Sequence, residues 1–281
     1  MTVPTLKLHD GTTIPQLGFG VFQIPPQETK QAVLQAFEFG YRHIDTAQMY
    51  QNEAGVGEAI AESGLSRDEI YVTTKLNNGF HRPEDARRSL DESLDRLGLD
   101  QVDLFLIHWP LPTRYDGDYV STWETMLELQ RAGKTRSAGV SNFEPDHLER
   151  IVEATGSAPV VNQIEVHPYF ANEAARTATQ QHGGLVEAWS PIAQGAVLDD
   201  AVLLGIADAH GRTPAQVALR WHIQRGDIIF PKSVTPGRMQ QNFALFDFEL
   251  TDEQMSAVDG LDKGENGRRG PHPDEMDVIP D

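Results

Sequence analysis

The chain has 281 residues, no cysteine, and 23 Lys and Arg against 42 Asp and Glu, a formal charge of −19. Absent cysteine excludes disulfides, thiolate metal sites and Cys nucleophiles, and so negative a chain would repel a phosphate backbone, so no nucleic-acid partner is expected. No apolar run approaches the ~18 residues that span a bilayer, Met1–Lys7 lacks the apolar core of a signal peptide, and a globule of this length should bury roughly 73% of its unfolded surface; the expectation is one cytoplasmic, membrane-free domain over residues 1–281.

In chain order, Thr5–Leu8, Asp10-Gly11 and Thr12–Ile14 read as a hairpin with a two-residue turn, lying outside the main body and plugging one end of it. Eight short β-branched or apolar runs follow, each ending in polar residues. They are Gln16–Phe22, Arg42–Thr46, Ile70–Lys75, Val102–Trp109, Thr135–Asn142, Val160–His167, Leu185–Ser190 and Asp227–Ser233.

Helical signals lie between them. Gln31–Phe39 carries Val33, Ala36, Phe37 and Phe39, and Glu84–Leu97 places Ala86, Leu90, Leu94 and Leu97 on one face. Ser121–Ala132 has Met126, Leu127 and Leu129. Pro145 opens a helix that runs through Val152, and Pro214 opens one before Val217 and Trp221, each Pro in its favoured first position. Thr251 and Gln254 form a capping box ahead of Met255 and Val258.

Strand–helix alternation argues for a parallel sheet. The polar ends Asp45, Lys75, His108 and Ser141 are about one strand–helix unit apart, roughly 30 residues each. Eight such units make an α/β fold of the (β/α)8, or TIM, barrel type, with its chemistry at the C-terminal ends of the strands. The rival is an open doubly wound sheet, but its phosphate fingerprint is missing: Gly18-Phe-Gly20 stands alone, and Gln23 occupies the sixth position.

Those strand ends supply Asp45, Lys75, His108, Ser141-Asn142, Gln163, Glu165, His167, Trp189-Ser190 and Lys232-Ser233, with Tyr50 one short loop beyond Asp45. Alone, an Asp or Lys at a strand end reads as a solvated loop residue, and a His beside Trp109 as a structural one. Asp, Lys and His at three successive strand ends form a pattern. A tyrosine, with a free pKa near ~10, donates poorly to an alkoxide at neutral pH. A neighbouring ammonium, Lys75, would lower that pKa, with Asp45 keeping the lysine charged and aimed. His108 can orient a carbonyl oxygen. The set reads as a carbonyl pocket with Tyr50 as general acid. Side chains hold no electron source, so a hydride donor must be a cofactor.

Two other readings exist. His43-x-Asp45, Lys75, His108 and Glu165-x-His167 could ligate metal at barrel strand ends, as in metal-dependent hydrolases. Such sites draw on several histidines, and the last strand here offers a cation, Lys232, so no metal is expected. A non-catalytic cofactor-sensing subunit is the second, against which the complete set of four residues argues.

Gly40-Tyr-Arg-His-Ile-Asp-Thr46 with Tyr50, Thr74-Lys75, Leu106-Ile-His-Trp-Pro110, Gly139-Val-Ser-Asn142, Asn162-Gln-Ile-Glu-Val-His-Pro168 and Pro231-Lys-Ser233 occur in this order. Together they resemble the aldo-keto reductase superfamily. The bacterial branch that includes 2,5-diketo-D-gluconate reductases is most similar, and Ala257-Val-Asp259 and His272-Pro-Asp-Glu275 share that likeness. The resemblance implies a barrel that reduces aldehydes or ketones with NADPH, through Asp45, Tyr50, Lys75 and His108. Keto-sugar acids such as 2,5-diketo-gluconate, small dicarbonyls and aldehydes are the implied substrates, and a monomer is expected.

It implies too that Ser141, Asn142 and Gln163 hold the nicotinamide carboxamide, with Trp189 against its ring and Ser190 beside it. Gln194 and Gly195 would follow the pyrophosphate. Lys232, Ser233 and Arg238, with Val234 and Asn242, would hold the adenosine 2′-phosphate. The residues themselves support this: on so acidic a chain, a buried dianion needs cations and hydroxyls in one place, and Arg238 opens a helix whose N-terminus favours anions.

The chain departs from the pattern after Lys75, where Asn77 stands in place of a common Trp. That should leave a smaller, more polar wall in a pocket shared with Phe22, His108 and Trp109. The loop Pro191–Asp200 is short, so no clamp over the cofactor is expected. The tail is short as well, and an open pocket follows.

Overall fold

The computed structural model describes residues 3–280. Its centre is a ring of eight parallel strands in consecutive order: β3 (Phe19–Gly20), β4 (His43–Asp45), β5 (Tyr71–Leu76), β6 (Val102–Ile107), β7 (Thr135–Ser141), β8 (Val161–Glu165), β9 (Leu185–Trp189) and β10 (Ile228–Ile229). A parallel bridge between Leu17 and Ile229 joins the last strand to the first. Two backbone bonds hold that seam, Gly18 N to Ile229 O at 2.7 Å and Ile229 N to Gln16 O at 3.0 Å. Gly20 allows the approach, since a Cβ there would lie 2.7 Å from Phe230 O. The sheet is therefore a closed (β/α)8 barrel, as expected from the alternation.

Among the described residues ten helices surround it: α1 (Pro26–Phe39), α2 (Glu53–Glu62), α3 (Pro83–Leu97), α4 (Tyr119–Arg131), α5 (Pro145–Thr155), α6 (Glu173–Gln181), α7 (Ala201–His210), α8 (Pro214–Gln224), α9 (Pro236–Phe243) and α10 (Asp252–Asp259). α3 shows why the sequence makes them. Pro83 starts it, Glu84 and Asp85 face the positive end of its dipole, Gly98 ends it in the left-handed region, and Ala86, Leu90, Leu94 and Leu97 are buried. The capping box at Thr251 forms as read from sequence, and a second one, Thr213 with Gln216, caps α8 ahead of Pro214.

Three helices carry no clear sequence signal. In α2, Gly55 and Gly57 lower intrinsic helicity, and the helix is held by burial of Val56, Ala59 and Ile60 between α1 and α3. α6 and α7 are nine and ten residues long, too short for their periodicity to stand out, while α9, the helix read at Arg238, is opened two residues earlier by Pro236. The outer strands are also shorter than expected, because only Phe19–Gly20 and Ile228–Ile229 keep regular pairing.

β1 (Thr5–Lys7) and β2 (Thr13–Pro15) form the N-terminal hairpin, with Leu6 opposite Ile14. Its loop has three residues rather than two. Gly11 N bonds Leu8 O, Leu8 N bonds Thr12 O, and Gly11 sits at φ 91°. This is a turn closed by a left-handed glycine, which adds a bulge residue. Leu8 and Ile14 pack on Leu104, Leu106, Val160, Val161 and Ile228, so the hairpin does close the N-terminal end. Chemistry is left to the opposite end. No helix among the described residues is long and apolar enough to cross a membrane.

Candidate active site

At the C-terminal end of the barrel, β5 delivers Lys75 and β4 delivers Asp45. Both are buried, and the ammonium lies 2.8 and 2.9 Å from the two Asp45 oxygens and 2.8 Å from Thr46 O. Its remaining contact is the Tyr50 hydroxyl at 3.3 Å. Tyr50 comes from the short turn after β4, and Asn52 beyond it fixes that turn by donating to Val21 O and Ile24 O while accepting from Thr46. His108, just past β6, places its ring 5.6 Å from the Tyr50 ring at 73°. The three residues read from separate strand ends and Tyr50 thus form one cluster.

Its protonation states follow from burial and one cation. Burial raises the Tyr50 pKa; Lys75 pulls it down, Asp45 pushes it up, and the net shift is upward. The expected lowering by Lys75 is present but outweighed by desolvation. Burial disfavours the Lys75 ammonium, yet Asp45 and Tyr50 more than offset it, so its pKa is raised. His108 is held well below the usual histidine range, first by burial and then by the Lys75 charge. Around neutrality the site therefore holds a phenol, a neutral imidazole and one ion pair.

Ser141, Asn142 and Gln163 adjoin this cluster and are tied into it. Ser141 Oγ donates to Gln163 O at 2.8 Å. Asn142, at φ 63°, donates to His108 O at 2.9 Å and to Ser141 Oγ, while its Oδ1 accepts from Trp189 Nε1 at 2.8 Å. It braces both the histidine and the indole. Gln163 Nε2 donates to Asp45 Oδ2 and to Glu187 Oε2, each at 2.9 Å. Glu187 was missed from sequence. It is fully buried in β9, its pKa is pushed up to about 8 by burial and then by Asp45, and its Oε1 has no partner. The available signal was a carboxylate in the middle of Leu185-Val-Glu-Ala-Trp189, where a barrel strand needs an inward residue.

On the next stretch of rim, Ser190, Ala193 and Gln194 all have positive φ, and the loop folds into a tight turn at Ala193–Gly195. Beyond β10, Lys232 and Arg238 are exposed, Ser233 is buried, and Asn242 is half-buried on α9. Lys232 and Arg238 make no ion pair with any described residue, although acidic side chains far outnumber basic ones.

Of the residues expected to line the substrate side, Phe22 is 54% exposed with its ring 4.9 Å from that of Tyr50, and Trp109, next to His108 in the chain, is largely buried. Asn77 is half-buried and its Oδ1 accepts from Gly79 N at 2.9 Å, capping a short turn. The tail is not clear of the mouth, contrary to the expectation from its length. Arg269 N and Gly270 N donate to Glu165 at 2.7 and 2.9 Å, and a Cβ on Gly270 would lie 2.4 Å from the Trp189 ring. Farther along, Asn78 Nδ2 donates to Val278 O at 2.9 Å. Backbone bonds at both ends, rather than tail length, narrow the opening on that side.

The metal-ligand alternative is not assembled. The His43 ring bonds Thr73 Oγ1 and Pro15 O, His167 bonds Glu165, and no group of three His, Asp or Glu among the described residues could hold an ion.

Known proteins carry this architecture. A profile described as the aldo/keto reductase family matches residues 16–263. An aldo-keto reductase of Mycolicibacterium smegmatis is 47% identical over 270 residues, covering 96% of this chain and 97% of its own. The methylglyoxal reductase DkgA of Escherichia coli K12 is 44% identical over 279 residues, covering 98% and 99%. The crystal structure of a Bombyx mori aldo-keto reductase in complex with NADP superposes with a TM-score of 0.88 at 39% identity, over 96% of this chain and 95% of the other.

Proposed function

This chain belongs to the aldo/keto reductase family, and we propose that it reduces a small aldehyde, dicarbonyl or keto-sugar acid to the alcohol, with NADPH as hydride donor and Tyr50 as proton donor. The observation that carries the reading is the Tyr50 hydroxyl, 3.3 Å from an ammonium that is itself locked to Asp45, with a neutral His108 alongside.

NADPH, when bound, supplies the hydride to the carbonyl carbon. The chain does the rest. His108 donates an N–H to the carbonyl oxygen and fixes its direction. Tyr50, kept protonated by burial, gives its proton to that oxygen as negative charge develops there, and Lys75 stabilises the phenolate left behind. Asp45 holds Lys75 charged and aimed.

The residues present fit the cofactor. Gln163 has both amide hydrogens engaged by carboxyls, which leaves its Oε1 to accept from a carboxamide. Ser141, Asn142, Trp189 and Ser190 frame the same place. Gln194 and Gly195 would lie along the pyrophosphate. Lys232, Ser233, Val234, Arg238 and Asn242 would surround the 2′-phosphate, and the two unpaired cations are what such a dianion needs.

The exposed Phe22, the polar Asn77 and the tail make a mouth suited to small, partly polar carbonyls, and the methylglyoxal reductases among the relatives support dicarbonyls. The test is NADPH oxidation measured against methylglyoxal, 2,5-diketo-gluconate, α-ketoacid esters and simple aldehydes. Turnover of at least one class, lost in Tyr50→Phe, is expected. No oxidation with any class, or full turnover by the variant, overturns the reading.

A further inference from the structure

Below the cluster just described, β8 and β9 run in register, with Gln163 paired to Glu187. Their side chains meet inside the barrel. Gln163 Nε2 reaches Glu187 Oε2 and Asp45 Oδ2 at the same 2.9 Å, so two carboxyls share the two hydrogens of one amide nitrogen. Neither carboxyl is open to solvent: Asp45 is 3% exposed and Glu187 0%.

An amide can sit in two orientations that differ by exchange of N and O. Asp45 is charged, being paired with Lys75, and an oxygen turned toward it would be repelled. A second acceptor on the same nitrogen makes the choice firm and fixes the amide plane as well as its direction. We propose that Glu187 is a positioning residue for the cofactor: by taking one Gln163 hydrogen while Asp45 takes the other, it leaves Gln163 presenting only an acceptor, and so selects a primary carboxamide over a carboxylate at the nicotinamide position. This rests on the NADPH reading above and names how its reacting ring is chosen.

The charge state of the neighbourhood is consistent with that role. The groups facing Glu187 are Asp45 of β4, Lys75 and the Tyr71 hydroxyl of β5, and Gln163 of β8. Lys75 is one cation for two carboxyls. Burial and Asp45 hold Glu187 protonated through neutrality, so it accepts a hydrogen bond from Gln163 without adding a second negative charge beside Asp45, and its Oε1 lies buried without a partner. A glutamine at this position would offer the same neutral acceptor. A leucine would offer none and leave Gln163 tethered to Asp45 alone.

The experiment compares binding, not turnover. Affinities of wild type, Glu187→Gln and Glu187→Leu are measured for NADP+, for its deamido analogue bearing a nicotinic acid carboxylate, and for 2′,5′-ADP, which has no nicotinamide. Wild type and Glu187→Gln are expected to favour the carboxamide over the carboxylate by ~10-fold or more, and Glu187→Leu to lose most of that ratio with 2′,5′-ADP affinity unchanged. Should Glu187→Leu fail to fold by circular dichroism, Glu187→Thr, whose hydroxyl is too short to reach Gln163, takes its place. A ratio preserved in the truncated variant, a ratio lost equally in Glu187→Gln, or no preference in wild type overturns the proposal. Wild type that binds NADP+ but oxidises NADPH with no carbonyl overturns the functional reading instead and leaves this comparison standing.

Discussion

The Lys75 ammonium meets Tyr50 in two ways, 3.3 Å from its hydroxyl and 4.9 Å from its ring centroid. A cation placed there favours the phenolate once the proton has left, while burial keeps the phenol intact until then. The same lysine depends on Asp45, because a buried ammonium without a partner loses its charge.

Tyr50→Phe removes the hydroxyl proposed as proton donor and leaves the ion pair in place. The expected result is a fall in kcat of ~10²-fold or more, with NADPH affinity within a few-fold of wild type. Steady-state turnover alongside fluorescence titration of NADPH measures both. Near-normal turnover would remove Tyr50 from the chemistry.

Lys232 and Arg238 are the test of cofactor choice. Neither has an acidic partner to release, so neutral replacement should cost nothing elsewhere in the fold. Lys232→Met or Arg238→Leu should weaken NADPH by ~1–3 kcal/mol and leave NADH almost unchanged, since NADH carries no group at that place. Equal loss for both cofactors would assign these side chains another task.

What could be read before the structure was whatever the chain repeats. Asp45, Lys75 and His108 stand at equivalent points of successive strand–helix units, so barrel geometry brings them together once the alternation is recognised. Tyr50 follows because a five-residue step cannot leave the mouth. The Thr251 capping box was legible for the same local reason. Glu187 was not, because its meaning depends on Gln163 and Asp45, which lie 24 and well over a hundred residues away in the chain. The tail was illegible too: Arg269, Gly270 and Val278 are held through backbone atoms, which carry no sequence signature. α2 was hidden by its glycines, whose cost is met by tertiary packing.

Acid should weaken the fold through buried histidines. Burial pushes His43 and His81 down to about 4, while in the unfolded chain each titrates at its usual 6.5. Between those values the unfolded state binds more protons. Stability is full above about pH 6.5 and is lost as pH falls toward 4, by ~3 kcal/mol for each group. His81 lies flat on Tyr115, rings 5.2 Å apart at 9°, so His81→Phe keeps the stack and removes the titration. Melting temperatures from pH 7.5 to 4 should fall less steeply in the variant; parallel curves would assign the acid sensitivity elsewhere.

Asn77 is the residue proposed to set the substrate wall. Its Oδ1 is engaged by Gly79 N, so the turn at residues 78–80 sets its direction and its amide hydrogens are the part left for a ligand. Polar dicarbonyls and keto-sugar acids would gain a hydrogen bond there, whereas aromatic aldehydes find little apolar surface beyond Phe22 and Trp109. Asn77→Trp should therefore lower KM for aromatic aldehydes by burying ring area, at roughly 25 cal/mol per Å². It should raise KM for hydroxylated substrates that used the amide, and loss of the cap should cost ~1 kcal/mol of stability. Because the stability loss acts on every substrate alike, only opposite shifts in the two KM values identify a direct contact. If both values move together, or neither moves, Asn77 does not face the substrate and the polar character of this mouth must come from the tail.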